Sequence, residues 1–211
     1  MSREWILDET KFFTLPRVRK LVKSLEKTLE KSIGTRAEPG ALRDWMLINL
    51  VLGSGLRVQE AVSLKCKDIR LRGNLSGIHV REGKKGRSRF IYINDDLGKK
   101  ILDYVAWKEH WGEDIKPEAP FFFSSRSKGH YSARAFQKAF KRCLRRADLP
   151  LYFSFHCLRH TYGTHLLKSS RYNHRLVQKQ LGHARLETTQ IYTHVMNKDL
   201  RNISSPIEDV L

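Results

Sequence analysis

One short region of the chain departs from the apolar spacing found elsewhere, and this departure constrains the fold most strongly. Apolar residues recur mainly at the three- and four-residue spacing of helices, whereas Gly77–Val80 and residues 90–93 are rich in β-branched and aromatic side chains. Gly83 and Gly86 lie between these two runs and supply turn positions. The sequence therefore predicts a β-hairpin within a helical chain, that is, a mainly α fold with a small antiparallel β-sheet (α+β).

The helical spacing predicts a succession of helices. Residues 31–40, rich in charge, glycine and proline, are predicted to form the loop between the first two of them. Gly53 and Gly55 are expected to end the second helix, because glycine adopts the left-handed conformation at a helix C-terminus. Ser132 and Asn173 are predicted N-caps. The expected helices span roughly residues 15–31, 41–52, 57–64, 95–111, 132–148, 154–168, 173–181 and 186–194.

The chain is strongly basic. Its 40 lysines and arginines exceed its 22 aspartates and glutamates, which gives a formal net charge of +18. A folded protein with this charge is expected to bind a polyanion, and nucleic acid is a better candidate than a membrane. The longest apolar stretch, residues 45–52, is interrupted by Asn49 and is far shorter than the ~20 residues of a membrane span. Three widely spaced cysteines, Cys66, Cys143 and Cys157, suit a reducing cytoplasm.

The predicted helix at residues 132–148 carries much of this charge on one side. Its apolar stripe is predicted to face the core and contains Phe136, Ala139, Phe140, Cys143, Leu144 and Ala147. The remaining side has six cations and no acid: Arg134, Lys138, Lys141, Arg142, Arg145 and Arg146. Because like charges repel one another in water, a phosphate-facing surface is favoured over the alternative, an ordinary solvated face.

Unusual polar residues are concentrated in the last third of the chain. His156, Arg159 and His160 are three and four positions apart, so a helix would place them on one face. Each histidine also has an ordinary structural interpretation, and the pair could instead bind zinc with Cys157 as a further ligand. The zinc-protease pattern, however, requires a glutamate directly after the first histidine, where this chain has Cys157. Partly buried packing is likewise the common role of a single tyrosine such as Tyr192.

Three blocks of sequence closely resemble the tyrosine recombinase (phage integrase) family. Residues 53–61, GSGLRVQEA, are similar to the segment around the family's first catalytic arginine. Residues 155–161, FHCLRHT, are similar to its His-x-x-Arg-His block, and residues 181–194 are similar to its nucleophile segment. The basic hairpin lies where the family places a catalytic lysine. The resemblance extends from about Phe12 to Leu211 and implies the fold of a tyrosine recombinase catalytic domain.

The resemblance implies a covalent DNA-cleaving enzyme with Tyr192 as the nucleophile. The phenol would form a 3′-phosphotyrosyl link that stores the energy of the broken bond, so that strands are rejoined without ATP. Arg57 and Arg159 would neutralise the phosphate in the transition state, which removes the need for a metal ion. His156 would assist proton transfer with the phenol, and His183 would hydrogen-bond a phosphate oxygen.

The resemblance also implies that a lysine of the hairpin protonates the departing 5′ hydroxyl. The chain reads Gly83-Lys84-Lys85-Gly86-Arg87-Ser88-Arg89 in this region, where the family usually has Gly-Lys-Gly, a short spacer and an arginine. Alignment on Arg89 assigns the role to Lys84, and Lys85 is the alternative.

The implied partners are double-stranded DNA and further copies of the chain, assembled as a synaptic tetramer on DNA, with no cofactor and no membrane partner. The expected location is the cytoplasm, in association with the nucleoid. The residues predicted to contact DNA are Lys85, Arg87, Arg134, Lys138, Lys141, Arg142 and Arg145.

The catalytic-type sequence begins near Phe12, so residues 1–211 are predicted to form a single catalytic domain without an N-terminal core-binding domain. Its core would span residues 12–194, and residues 195–211 would form a C-terminal tail of the kind that docks on a neighbouring subunit in this family. Two alternatives are a type IB topoisomerase-like enzyme, which would relax supercoils without synapsis, and a DNA-binding regulator that has lost catalysis. The second is disfavoured because a competent residue occupies every catalytic position.

Overall fold

The structure, a computed structural model, describes residues 10–72, 76–81, 88–124 and 129–182. Within these residues the chain is mainly helical with small antiparallel sheets, which confirms the predicted fold class. The α-helices are α1 Leu15–Ser32, α2 Glu38–Ser54, α3 Val58–Val62, α4 Asp95–His110, α5 Ala133–Arg146, α6 Phe155–Ser169 and α7 His174–Leu181, with a 3₁₀ turn at Cys66–Asp68. The strands are β1 Ile69–Arg70, β2 Gly77–Val80, β3 Arg89–Tyr92, β4 Phe123–Ser124 and β5 Gly129–His130.

The predicted hairpin forms the centre and one edge of a three-stranded sheet. Strands β2 and β3 pair antiparallel with Ile78 opposite Ile91, and β1 adds to the other side of β2 with Ile69 opposite Ile78. Ile78 and Ile91 are completely buried, which fixes the face that the sheet presents to the core. Strands β1, β4 and β5 were not predicted, because two residues are too few to show an alternating pattern.

Helix α2 lies at the centre of the fold and packs against α1, α4, α5 and α6. It begins at Glu38, three residues earlier than predicted, so the loop after α1 is confined to residues 33–37. Pro39 does not prevent this, since proline is tolerated in the first helical turn, where the missing N–H would have had no partner. The helix ends at Ser54, and the φ of +67° at Gly55 is the predicted left-handed cap. Gly53, which was also expected to end the helix, lies within its last turn.

The predicted helix caps are confirmed where the structure describes them. Ser132 accepts a hydrogen bond from the backbone N–H of Ala135 at 3.1 Å, and Asn173 accepts one from Leu176 at 3.0 Å. The apolar stripe of α5 is buried as predicted. No helix among the described residues is long and apolar enough to cross a membrane. The helix predicted at residues 186–194 lies outside the described residues.

Helix α7 is tied to the sheet and to α6 through one side chain. The Nε2 of Gln180 donates to the carbonyl oxygen of Tyr92 at 2.6 Å and to the hydroxyl of Tyr162 at 3.0 Å. The side chain of Tyr162 in turn packs against Gly55, where an added Cβ would lie 2.4 Å from its Cδ1 atom. The C-terminal ends of α2 and α7 are therefore brought together beside β3.

Candidate active site

Arg159 is buried at the point where the ends of α2 and α7 meet. It projects from α6, is 4% exposed, and donates through Nη1 to the carbonyl oxygen of Gly55 and through Nη2 to that of Leu181 at 2.8 Å. Helix C-terminal carbonyls lack intrahelical partners and carry partial negative charge, so a guanidinium is a favourable partner for both. The predicted phosphate-binding arginine is thus oriented by two helix ends.

Arg57 reaches the same helix end from another direction. It is the N-cap residue of α3, its side chain is 28% exposed, and its Nη2 lies 3.5 Å from the carbonyl oxygen of Gly182. Arg159 binds the carbonyl of the preceding residue, Leu181. Because adjacent Cα atoms are only about 3.8 Å apart, the two guanidinium groups converge on one short segment. The two arginines predicted from separate blocks therefore come together.

Sequence reasoning assigned no role to Glu60, although it is central to this arrangement. Glu60 is buried and forms ion pairs with Arg57 at 2.8 Å and with Arg89 at 2.8 Å. Its position, the third residue of α3, is the usual place for a side chain that bonds the N-cap backbone, and it accepts from the N–H of Arg57 at 2.8 Å. That spacing is the signal from which Glu60 could have been found.

The two histidines of the His-x-x-Arg-His block lie beside Arg159 on α6. The ring centroids of His156 and His160 are 6.4 Å apart. Partial burial lowers the pKa of His156 below its ordinary value, and the positive charges of Arg159 and Arg57 lower it further. Burial also lowers the pKa of His160 to about 4, together with the charges of His156, Arg159 and Lys11. His156 is consequently neutral at pH 7 and able to accept a proton.

A cleft of about 720 Å³ joins these residues to the basic face of α5. His156 and Arg159 line the cleft together with the apolar residues Leu56, Val58, Phe140 and Phe155. The lining also includes every residue of α5 that was predicted to contact DNA: Arg134, Lys138, Lys141, Arg142 and Arg145. His160 does not line this cleft, so the expectation that all three residues of the block face one site holds for His156 and Arg159 only.

Two of the α5 cations have partners within the protein. Lys141 Nζ donates to the carbonyl oxygens of Leu151 and Phe153, which holds the loop before α6 against α5. Arg142 lies 3.4 Å from a carboxylate oxygen of Asp44, a buried residue of α2. Burial raises the pKa of Asp44, an effect that Arg142 and other nearby arginines oppose. The basic face is therefore partly neutralised by an acid from a different helix, which the sequence of α5 alone does not reveal.

The zinc alternative lacks a third ligand in the part of the chain that the structure describes. Cys157 is buried, and its Sγ accepts a hydrogen bond from the backbone N–H of Ser154 at 3.3 Å. Over residues 10–72, 76–81, 88–124 and 129–182, no three histidine, cysteine, aspartate or glutamate side chains are grouped closely enough to hold a metal ion.

The remaining predicted site residues lie outside the described residues: Lys84, Lys85, Arg87, His183 and Tyr192. Strands β2 and β3 precede and follow the three hairpin residues in the sequence, and Gly182 directly precedes His183. Arg57, His156, Arg159 and the end of α7 thus form the described part of the candidate site.

Comparison with known proteins identifies a family with these features. Residues 12–199 match the sequence model of the phage integrase family. Tyrosine recombinase XerC of Caldanaerobacter subterraneus subsp. tengcongensis is 35% identical over 191 residues, which cover 90% of this chain and 49% of the relative. Tyrosine recombinase XerD of Ralstonia nicotianae is 36% identical over 165 residues, which cover 78% of this chain and 52% of the relative. The chain thus spans about half the length of these curated relatives.

A solved structure supports the same relationship at the level of the fold. The XerH site-specific recombinase, in a post-cleavage complex with a palindromic difH substrate, superimposes with a TM-score of 0.74 and 25% identity. The superposition covers 95% of this chain and 54% of the XerH chain. The helices and the hairpin described above therefore have the arrangement found in that enzyme.

Proposed function

Because the chain belongs to the phage integrase family of tyrosine recombinases, we propose that it cleaves and rejoins duplex DNA at specific sites through a covalent 3′-phosphotyrosine intermediate. Tyr192 would be the nucleophile, and neither a metal ion nor ATP would be required. The observation that carries the proposal is the single cleft that His156 and Arg159 line together with five cations of α5. A DNA backbone that lies on α5 would present a phosphate to these two side chains.

Each described side chain suits a definite task in this reaction. Attack by a phenol on a phosphodiester concentrates negative charge on the non-bridging oxygens, and the planar forks of Arg57 and Arg159 would bind those oxygens. A neutral His156 would take up the phenolic proton. Among residues outside the described part, His183 would donate to a phosphate oxygen, and Lys84, or alternatively Lys85, would protonate the 5′ oxygen as it leaves.

The decisive experiment traps the covalent intermediate. A duplex with a nick close to the cleavage site loses a short fragment after strand cleavage, so that religation fails and protein stays attached to DNA. The chain should form an adduct that survives denaturing electrophoresis, and Tyr192→Phe should form none while binding DNA nearly normally. Tyr172→Phe, which alters an exposed tyrosine between α6 and α7, is the control and should retain the adduct.

Two related functions predict different results in the same assays. A type IB topoisomerase-like enzyme would also form the adduct, but it would relax supercoiled DNA as a monomer without pairing two sites. A DNA-binding regulator without catalysis would bind DNA and form no adduct. Formation of recombinant products from two target sites, together with the adduct, would separate the proposed recombinase from both.

We further propose that the α5 cations contact the DNA backbone. If about six phosphates are neutralised, affinity for DNA should fall about 10³-fold between 50 and 200 mM salt. Replacing Arg134, Lys138 and Arg145 with glutamine should weaken DNA binding. The slope of the logarithm of the binding constant against the logarithm of the salt concentration should become shallower by about 0.9 for each lost phosphate contact. Arg19, Lys23 and Lys27 are exposed on α1 and do not line the cleft, so replacing these three cations with glutamine is the matched control. An equal effect of both sets would contradict a specific role for α5.

Recombination of two sites would require several copies of the chain, and we propose a synaptic tetramer on DNA. Residues 195–211, which lie outside the described residues, contain apolar side chains that would dock on a neighbouring subunit. Deletion of residues 204–211 should then abolish assembly on DNA but leave cleavage of a single site intact. A truncated protein that assembles and recombines normally would refute this docking. Such an enzyme would act in the cytoplasm, where the nucleoid is accessible.

A further inference from the structure

Glu60 is a buried carboxylate that two arginines from different parts of the chain share. Its Oε1 accepts from Nη1 of Arg57 at 2.8 Å and from Nη1 of Arg89 at 2.9 Å. Its Oε2 accepts from the backbone N–H of Arg57 and from Nη2 of Arg89, both at 2.8 Å. Each carboxylate oxygen therefore receives one hydrogen bond from each arginine. Burial by itself raises the pKa of Glu60, but the bonds and charges of the two arginines outweigh it and hold the pKa at about 2.

Arg89 is held on its other side by the end of α7. Its side chain is 12% exposed, and an added Cβ at Gly182 would lie 2.6 Å from its Cδ and 2.7 Å from its Nε. The carbonyl of that same glycine faces Arg57 at 3.5 Å. Arg89, Glu60, Arg57 and Gly182 thus form a closed ring of contacts beside the candidate site.

The geometry of this ring distinguishes the contributions of the two arginines. A terminal carboxylate rotates easily about its last torsion, so a single partner would leave its plane poorly defined. The two nearly parallel bonds from Arg89 define that plane, because a guanidinium fork matches a carboxylate in only one orientation. Arg57 donates through Nη1 to Oε1 of the same carboxylate, and its Nη2 is directed toward the carbonyl oxygen of Gly182.

We propose that Arg89 is a positioning residue for DNA strand cleavage, which fixes the carboxylate of Glu60 and, through it, the guanidinium of Arg57, without contacting the DNA itself. This role rests on the function proposed above, since it concerns the arginine that would neutralise the scissile phosphate. Two other roles are possible for Arg89 and predict different results: a purely structural ion pair, and alignment of the hairpin lysine.

The test compares two DNA substrates at saturating concentration in a single turnover. One has an ordinary phosphate at the cleaved position, and the other has a methylphosphonate, which lacks the negative charge that Arg57 would neutralise. On the phosphate, Arg89→Met should slow cleavage by up to about 100-fold, the loss that a misplacement of about 1 Å can cause. On the methylphosphonate it should cause little slowing, the same pattern as Arg57→Ala. In a chain that already has Arg57→Ala, adding Arg89→Met should cause no further decrease in the cleavage rate.

The matched control is Arg81→Met. Arg81, at the end of β2, also forms an ion pair with a buried carboxylate, that of Asp68, but this pair has no bond to Arg57 among the described residues. Arg81→Met should therefore not slow cleavage of the phosphate substrate more than cleavage of the methylphosphonate substrate. Should Arg89→Met not fold, Arg89→Lys keeps the charge but not the fork, and it must show the same phosphate-selective loss.

Three outcomes would overturn the role of Arg89. Normal cleavage by Arg89→Met, or equal slowing on both substrates, would make the ion pair only structural. Rescue by a substrate with sulfur at the bridging 5′ position, and not by the methylphosphonate, would show that Arg89 acts on the hairpin lysine. If the unaltered chain forms no covalent adduct with the ordinary phosphate substrate, the proposed function itself is wrong.

Discussion

The Nη2 atom of Arg159 donates to the carbonyl oxygen of Leu181 at 2.8 Å, so the end of α7 is anchored by the side chain predicted to bind the scissile phosphate. The other amino group of the guanidinium donates to Gly55 at the end of α2. One residue therefore both adds positive charge to the candidate site and holds the C-terminal end of α7. Changes at Arg159 should affect stability as well as chemistry.

Arg159→Ala should reduce the rate of strand cleavage on the order of 10²–10³-fold, like the loss of an oxyanion donor. The same change removes the guanidinium to which both buried carbonyls are bonded and should lower the free energy of unfolding by about 1–3 kcal/mol for each. DNA affinity should change little, because the cations of α5 are still present. Single-turnover cleavage, urea unfolding and DNA titration measure the three effects. Normal cleavage combined with weak binding would make Arg159 a docking contact.

Gly182→Ala should be more harmful than Gly112→Ala, although both glycines have a φ of +66°. Alanine at either position bears the same cost of a left-handed conformation, roughly 1–2 kcal/mol. At Gly182 its Cβ would also meet the side chain of Arg89, whereas at Gly112 no atom lies within 4 Å. Gly182→Ala should therefore lose more stability and also slow cleavage. Equal unfolding free energies for the two variants would mean that Arg89 moves aside without consequence.

Protein stability should fall as the pH is lowered from about 6.5 toward 4, in part because of His160. The pKa of His160 in the folded chain is about 4, so the proton is taken up preferentially by the unfolded chain in this interval. The contribution is at most about 1.4 kcal/mol per pH unit for one proton. His160→Gln should flatten the curve of unfolding free energy against pH, because it removes this proton uptake. Parallel curves for His160→Gln and the unaltered chain would contradict the assignment.

Lys84→Ala should slow strand cleavage more than Lys85→Ala. A substrate with sulfur at the bridging 5′ position needs less help from an acid, because a thiolate leaves more readily than an alkoxide. That substrate should restore much of the rate lost in the variant that lacks the true acid and should not help a variant that lacks only a phosphate contact. If rescue occurs for Lys85→Ala alone, the assignment must be reversed.

Local features of this site could be predicted from the sequence, whereas its long-range partners could not. The spacing of His156 and Arg159 places both on one side of α6, and the apolar stripe of α5 fixes which side of that helix is left for its cations. The partner of Arg142, however, is Asp44, 98 residues away, and a partner of Arg159 is Gly55, 104 residues away. The spacing of apolar residues shows which face of a helix is buried, but it does not show which residues of other elements contact that helix.

The same distinction accounts for the elements that were missed. The loop at residues 31–40 was predicted too long, because Pro39 and the nearby charges resemble a break although proline fits a first helical turn. Strand β1 has two residues and exists because it pairs with β2, so its own sequence contains no period. Glu60 had a local signal in its spacing from Arg57, but the contact with Arg89 depends on how the sheet packs.

The bonds of Gln180 to Tyr92 have a further consequence for the behaviour of the protein in concentrated solution. Strand β3 is the outer strand of its sheet, and an outer strand exposes amide and carbonyl groups that can recruit a strand from another molecule. At Tyr92 the side-chain amide of Gln180 takes both groups, accepting from the N–H at 3.4 Å and donating to the carbonyl at 2.6 Å. An incoming strand would have to displace α7 to pair at this position. Helix α7 therefore also protects this edge of the sheet against edge-to-edge aggregation at Tyr92.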